Sequence, residues 1–362
     1  MDHDAVGELL SLATPVRVTA AEPLTGRDVG GRWSEDHAHL WRVRLDGPPG
    51  TAVVKTHRGD DLSASTYLRN EAAALAFLSR VGGGHGPNLL GATADLVVME
   101  DLGAGTSLDL LLLGDDPDAA ADGLRAFALA LGRMHADTVG RDGEYYAIRG
   151  DGDPSFDRTS LARHRLPESW RKLNVHLGDL PRPGADAEAD WSRVMAALAD
   201  PGERLAFSNG DACPQNCRIG ADGRVRLLDF DGAAFRHTAL DLASLLLPFP
   251  ACACWSTLPA DVTADVVAAY REVFDADEFD MAVGCAAWVV LRAVRLPRLD
   301  AAVVPHPMGF RRRGQLLDQL AVAAGPVGAP LPGLAAWFGE LEGALRQRWG
   351  VWGGEGGYPA FR

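Results

Sequence analysis

The stretch FSNGDACPQNCRIGADGRVRLLDFDG, residues 207–232, sets Asp211 five positions before Asn216 and Asn216 thirteen before Asp229. A carboxylate and an amide carbonyl are hard oxygen donors. Mg²⁺ needs only one or two of these from a protein when water and phosphate complete its shell. A further carboxylate beside such an ion can orient a hydroxyl group and take its proton. Taken alone, the stretch reads equally well as a surface hairpin with ordinary polar turn residues.

The elements around these residues decide between the two readings. Asp222–Gly223 is a two-residue hairpin signal, because a type I′ turn needs φ > 0 at both central positions. With that turn as centre, Ala221 faces Arg224, Ile219 faces Arg226 and Asn216 faces Asp229. Directly opposed residues have Cα atoms about 4.5–5.5 Å apart, so Asn216 and Asp229 are expected as cross-strand neighbours, with Asp211 in the preceding loop. Far upstream, Lys55 ends the apolar run Ala52-Val53-Val54 on a strand. In the helix expected over 62–80, Glu71 falls on the same face as Leu68, Leu75 and Leu78. A carboxylate on an apolar face needs a partner, and Lys55 on the preceding strand is the natural one. An isolated structural ion pair would satisfy the same pattern.

Along the chain, strands are expected at 16–23, 39–45, 51–56 and 96–100, with a Gly-rich polar loop between the first two. The helix over 62–80 should stop at Gly82–Gly84. Beyond a linker near Glu100–Gly105 the pattern turns helical, over 119–135, 240–247, 260–273, 281–295, 310–324 and 334–349, with Pro297 as a helix stop. The result is an α+β chain with a small β-rich lobe (1–102) and a larger α-helical lobe (103–362).

Composition narrows the function classes. The 362 residues are 47% apolar and carry a net charge of −14, which argues against a nucleic-acid partner, since that needs a basic footprint. No apolar run approaches the roughly 20 residues of a membrane span, and the acidic start MDHD is not a secretory signal. Five cysteines without such a signal imply reduced thiols and a cytoplasmic location. Cys213, Cys217, Cys252 and Cys254 have spacings unlike zinc knuckles and are expected as free thiols. Only two of the 35 basic residues, Lys55 and Lys172, are lysines. A lysine kept in a chain that otherwise uses arginine points to chemistry specific to the ammonium group.

The order strand-Lys, helix-Glu, linker, D-x4-N and distal Asp resembles the protein-kinase-like fold, in its aminoglycoside phosphotransferase and choline-kinase-like branch of small-molecule kinases. NGDACPQN resembles the branch's H-G-D-x-x-x-x-N loop, LLDFDGA its metal-binding segment, VVK its nucleotide lysine strand, VVMEDLG its E-D-L-G hinge, and LDLASLL its Y-D-L-A segment. The resemblance covers roughly residues 15–250 and is specific as a combination.

It implies ATP and Mg²⁺ as cofactors and a small hydroxylated molecule as acceptor. It implies Asp211 as catalytic base or hydroxyl-orienting acid, and Asn216 and Asp229 as Mg²⁺ ligands. Lys55 would hold the α/β-phosphates and be oriented by Glu71. Backbone groups of Glu100 and Leu102 would read adenine, and Asp241 would brace the catalytic loop. Three departures stand out: Asn209 replaces the usual His, Gly26, Gly30 and Gly31 do not form G-x-G-x-x-G, and Asp231 follows Phe230. Asp231 is open to two readings, a further ligand for metal or substrate or a solvated acid, and the second is slightly favoured.

Residues 136–200 interrupt the kinase core and are expected to serve the acceptor. Their 12 acidic and 9 basic residues are too balanced to specify a strongly cationic aminoglycoside. Trp170, Trp191, Tyr145 and Tyr146 are candidates for ring stacking or, equally, for core. The competing function is a catalytically silent nucleotide-binding scaffold, which the presence of Lys55, Asp211 and Asp229 disfavours. A protein kinase is disfavoured by the lack of an A-P-E segment after Asp229. Fold alone does not choose the acceptor, and nothing in the sequence fixes the oligomeric state.

Overall fold

The computed structural model describes residues 17–24, 39–56, 62–150, 160–247, 249–250, 256–301, 312–350 and 356–362. Gly26, Gly30, Gly31, Cys252 and Cys254 lie outside the described residues. Contacts divide the chain into two compact units. The first comprises 1–111, 141–152 and 209–234, and the second 112–140, 153–208 and 235–362.

The first unit is built on an antiparallel sheet of β1 (Val18–Pro23), β2 (Leu40–Leu45), β3 (Thr51–Thr56), β4 (Leu89–Ala92) and β5 (Leu96–Glu100), in the order β1-β2-β3-β5-β4. Trp41, Val43, Leu45, Ala52, Val54, Leu96 and Val98 bury one face. Strand period two puts Lys55 on the other face, directly opposite Val97. Helix α1 (Leu62–Val81) presents Leu68, Glu71, Leu75 and Leu78, all buried, along one stripe. It ends as expected, with Gly82, Gly83 and Gly84 all at positive φ.

In the same unit, the short helix α2 (Leu108–Leu112) donates from Asp109 N to the Pro214 carbonyl. The hairpin of β7 (Cys217–Ile219) and β8 (Val225–Leu227) corrects the expected register. Ile219 pairs with Val225, and Gly220 N donates to the Arg224 carbonyl at 2.9 Å. The loop therefore has three residues, with Gly223 at φ 74. That is a type I turn followed by a left-handed glycine bulge, the usual three-residue solution. One extra loop residue moves the register by one, so Asn216 faces Leu228, whose N–H it accepts at 2.9 Å. Asp229 lies one residue past the pairing.

The second unit is helical: α3 (Pro117–Thr138), α5 (Leu166–His176), α6 (Ala185–Ala199), α7 (Ala239–Leu246), α8 (Ala260–Arg271), α9 (Glu278–Ala293), α10 (Leu296–Ala301), α11 (Arg312–Ala324) and α12 (Pro332–Trp349). Helix α4 (Asp142–Arg149) belongs to the first unit. A short sheet pairs β6 (Leu205–Ser208) with β9 (Ala234–His237). Pro297 does not only stop a helix. It is the second residue of α10, where its missing N–H costs nothing. Trp170 stacks on Trp191 at 4.6 Å between centroids and meets Trp337 edge-on at 5.4 Å. All three are buried, so Trp170 and Trp191 are core and not a stacking surface for a ligand. Among the described residues no helix is long and apolar enough to cross a membrane.

Candidate functional site

Lys55 is the centre of the site in the first unit. Its Nζ is hydrogen-bonded to Glu71 Oε2 and lies 2.7 Å from Asp229 Oδ1 and 3.3 Å from Asp231 Oδ2. Lys55 and Glu71 are buried, while the side chains of Asp229 and Asp231 are 35% and 30% exposed. The structure thus brings together the strand lysine and the helix carboxylate expected from the apolar stripe. It also turns Asp231 toward the lysine, and the reading of Asp231 as a merely solvated acid gives way.

The charges in this cluster decide its protonation. Burial alone would lower the Lys55 pKa, but Asp229, Glu71 and Asp231 reverse that and hold it above the ordinary lysine range. Burial pushes the Glu71 carboxyl up, Lys55 pulls it down by less, and Asp229 and Asp231 add to the rise. The lysine is the fixed positive charge here, and Glu71 is the carboxyl whose ionised form burial disfavours and Lys55 supports.

Asp229 sits at φ 59, one of two non-glycine residues with positive φ among those described. Such a conformation persists only where surrounding bonds hold it. On one side, Leu228 is bonded to Asn216, and its carbonyl accepts from Asn209 Nδ2 at 3.1 Å. On the other, Phe230 N donates to Glu71 Oε1 at 3.4 Å. Gly210 and Gly232 touch so closely that a Cβ at 210 would lie 2.1 Å from the Gly232 carbonyl oxygen. This contact joins the NGD loop to the DFDG segment.

Asp211 is partly buried. Asn216 Nδ2 donates to its Oδ2 at 3.2 Å and to its carbonyl at 3.1 Å. Asn209, in place of the resembled family's His, donates to the Asp211 carbonyl as well as to Leu228, both at 3.1 Å. A single amide nitrogen thereby spans the two segments.

The residues expected to form the hinge are held by arginines. Arg226 grips Glu100 through both carboxylate oxygens at 2.7 and 2.8 Å. Asn88 donates to the same carboxylate from its backbone N and its side chain. Arg42 Nε lies 2.8 Å from Asp101 Oδ2, and Gly103 N donates to Asp101 Oδ1 at 3.0 Å. The Glu100 N–H is already given to the Asn88 carbonyl.

Sequence reasoning missed Asn70, Arg149 and the hydroxyl of Tyr145. Asn70 is fully buried beside Glu71 and bonds the Phe230–Ala233 backbone. The Tyr145 hydroxyl and Arg149 Nε both reach Asn70 Oδ1 at 2.6 Å. An asparagine inside a buried helix stripe was the available signal. In the second unit, Asp241 is buried and bonded to His135, Arg236 and the Ser208 side chain, with its carboxyl held well below the usual range. Ser208 immediately precedes Asn209. Cys213, Cys217 and Cys285 are buried thiols outside any disulfide, and burial pushes the Cys217 thiol up to about 12.

A family model described as "Phosphotransferase enzyme family" (APH) matches residues 33–284. Comparison with curated proteins gives no significant match. A putative fructosamine-3-kinase from Thermobifida fusca is similar at 21% identity over 89% of this chain and 99% of that one, with a TM-score of 0.52. A macrolide 2′-phosphotransferase from Brachybacterium faecium is 15% identical over 92% and 98% of the two chains, with a TM-score of 0.49. A choline kinase from Streptococcus pneumoniae is 15% identical over 92% and 97%, with a TM-score of 0.46. The fold is α+β and protein-kinase-like, as the first of these likenesses bears out.

Proposed function

Because the chain belongs to the phosphotransferase enzyme family, we propose that it transfers the γ-phosphate of ATP to a hydroxyl group of a small molecule. The observation that carries this reading is the buried Lys55 ammonium, tied at once to Glu71 on α1 and to Asp229 on the DFDG segment. Phosphoryl transfer asks a protein for positioning and charge neutralisation and for little covalent work.

Each residue then has a task. Lys55 offers its charge to the α/β-phosphate oxygens, and Glu71 keeps its Nζ in place. Asp211 orients the acceptor hydroxyl and takes its proton, while Asn216 fixes the Asp211 rotamer. Backbone groups of Glu100 and Leu102 read adenine, on a hinge that Arg226 and Arg42 hold in shape.

The donor set fits a hard cation. Carboxylate oxygens of Glu71, Asp229 and Asp231 lie within 4.8 Å of one another, and the family resemblance adds the Asn216 amide oxygen as a ligand. Asp229 and Asn216 would hold Mg²⁺, which when bound neutralises phosphate charge that Lys55 alone would leave. Glu71 already spends its oxygens on Lys55 and Phe230, so it orients and does not ligate.

The acceptor belongs to the antibiotics, amino sugars, choline-like alcohols or biosynthetic intermediates. The division into 1–102 and 103–362, with 136–200 serving the acceptor, and a cytoplasmic location are parts of the same proposal. The test is ATP consumption screened across hydroxylated natural products, with Asp211→Asn as the blank. Stimulation by an acceptor in the wild type and not in the blank is the expected result. No acceptor-stimulated consumption in either protein for every acceptor tried, with Mg·ATP bound, would leave a silent scaffold instead.

A further inference from the structure

The DFDG segment carries the two acids that face Lys55, yet Asp229 holds a backbone conformation that an aspartate seldom adopts. What pins the segment from its far side is not a member of the family motifs that the sequence displays. Asn70 Nδ2 lies 2.9 Å from the Asp231 carbonyl, 2.8 Å from the Ala233 carbonyl and 3.5 Å from the Phe230 carbonyl. Its Oδ1 accepts from Tyr145 Oη and Arg149 Nε, both at 2.6 Å. The Tyr145 hydroxyl also lies 3.0 Å from the Ala233 carbonyl. Asn70, Tyr145 and Arg149 are all buried, and Phe77 meets Tyr145 edge-on at 5.8 Å.

We propose that Asn70, backed by Tyr145 and Arg149, is a positioning residue that latches the Phe230–Ala233 backbone and so sets where Asp229 and Asp231 present their carboxylates to a metal-bound nucleotide. The inference rests on the phosphotransferase reading for its metal and nucleotide, and on geometry alone for the latch. Neighbouring residues of α1 divide the labour. Glu71 fixes the lysine and the Phe230 N–H, and Asn70 fixes the three carbonyls that follow. A buried amide with all of these bonds is costly to replace, because each carbonyl that it serves loses a donor inside the protein. Tyr145 and Arg149 supply the donors that keep Oδ1 turned away from the segment and Nδ2 turned toward it. No other orientation of the amide satisfies both sides, since three carbonyls and two donors converge on it.

Two measurements on the full chain test it. Hydrogen exchange reads the latch directly, because Phe230 N bonds to Glu71 and Ala233 N to the Phe230 carbonyl. Asn70→Ala should speed exchange in a peptide covering 229–233 by at least tenfold and leave peptides of the β2–β3 hairpin unchanged. Calorimetry with ADP over a range of free Mg²⁺ reads the consequence. The Mg²⁺ concentration for half-maximal ADP binding should rise about tenfold, while ADP binding without the metal changes by less than twofold. Tyr145→Phe removes only the hydroxyl and should move both readouts two- to fivefold in the same direction, which keeps the test open if Asn70→Ala does not fold. Unchanged exchange at 229–233 in a folded variant overturns the latch. Faster exchange with an unchanged Mg²⁺ requirement overturns its positioning role and leaves a structural one. A wild type that binds no Mg·ADP would sink the phosphotransferase reading, and the exchange result would still decide the latch.

Discussion

Arg226, on β8, holds Glu100, at the end of β5, through a two-point bond at 2.7 and 2.8 Å. The guanidinium also reaches the Gly86 carbonyl at 2.9 Å. The hairpin that leads to Asp229 is thereby tied to the strand end whose backbone is proposed to read adenine. Burial acts to raise the Glu100 pKa, yet Arg226 and Asn88 outweigh it and hold the carboxyl below its ordinary value.

Glu100→Gln keeps the shape and removes the charge. Both partners are about a quarter exposed, so the direct stability cost is small, about 1 kcal/mol or less. The larger effect is expected on nucleotide binding. The KM for ATP should rise several-fold with kcat nearly unchanged, because the hinge is displaced and the reacting groups are not. A fall in kcat at constant KM would contradict this placement of the hinge.

Lys55→Met removes the ammonium that meets Glu71, Asp229 and Asp231 together. Turnover should fall by orders of magnitude. Breaking a buried pair by deleting one partner costs about 3–5 kcal/mol, but here the loss should depend on pH. Without the ammonium the Glu71 pKa, already raised, rises further. A group whose folded pKa is raised contributes stability that is fully present below its unfolded pKa and is lost as pH rises through the folded value. The deficit relative to wild type should therefore be larger at pH 8 than at pH 5.5 in urea titrations. Equal deficits would mean that Glu71 is not the group left exposed to the change.

His237 gives a second pH dependence, of opposite sense, in the helical unit. Its ring is buried and its Nδ1 accepts from Ala239 N at 3.1 Å, at the start of α7. Burial first, then Arg204, lowers its pKa to about 4, and Asp277 opposes them. A depressed histidine contributes stability present above its unfolded pKa of 6.5 and lost as pH falls toward 4. The full span corresponds to about 3 kcal/mol. His237→Asn keeps an acceptor for Ala239 N without a titrating ring. The difference in unfolding free energy between the two proteins should change across pH 6.5 to 4 and stay flat above 7. A difference independent of pH would show that His237 titrates alike in the folded and unfolded chains.

The sequence made the lysine–glutamate pair legible because both of its signals are local. Period two along Ala52–Lys55 and the helical stripe Leu68–Glu71–Leu75 each aim one side chain at the same space. The hairpin was legible in existence and wrong by one residue. Asp222–Gly223 fits a two-residue turn and a three-residue turn alike, and only the observed Gly220–Arg224 closure selects the second. Asn70 was not legible in role, since Tyr145 lies 75 residues away and Ala233 163 away. Trp170 and Trp191 could have faced a ligand or each other, and their composition does not distinguish the two. Burial against Trp337 does.

Gly210→Ala tests the contact between the NGD and DFDG segments. Gly210 has φ 88, and the added methyl would lie 2.1 Å from the Gly232 oxygen. The backbone conformation alone costs an alanine about 1–3 kcal/mol, and relieving the clash must separate the two loops. Activity should fall at least a hundredfold in a protein whose far-ultraviolet circular dichroism is intact. Near-normal activity would show that Asp211 and Asp229 do not depend on this contact for their spacing.

The sharpest test of the chemistry separates Asp211 from Asp229. Asp211→Asn preserves shape and the bonds that its carbonyl accepts from Asn209 and Asn216, and removes only the charge that orients the hydroxyl and receives its proton. Asp229→Asn instead weakens the proposed cation site and also removes the negative charge that faces Lys55 at 2.7 Å. The first variant should bind Mg·ATP within about twofold of wild type and lose turnover by roughly 10²–10⁴, the range for a general base. The second should lose both binding and turnover, and excess Mg²⁺ should restore part of its binding. A scaffold without chemistry would show no turnover to lose, and only affinities would move. Calorimetric Mg·ATP affinity and acceptor-dependent ATP consumption, measured on all three proteins, distinguish these outcomes. Wild-type turnover by Asp211→Asn on its true acceptor would remove Asp211 from the mechanism while leaving the Lys55–Glu71–Asp229 site in place.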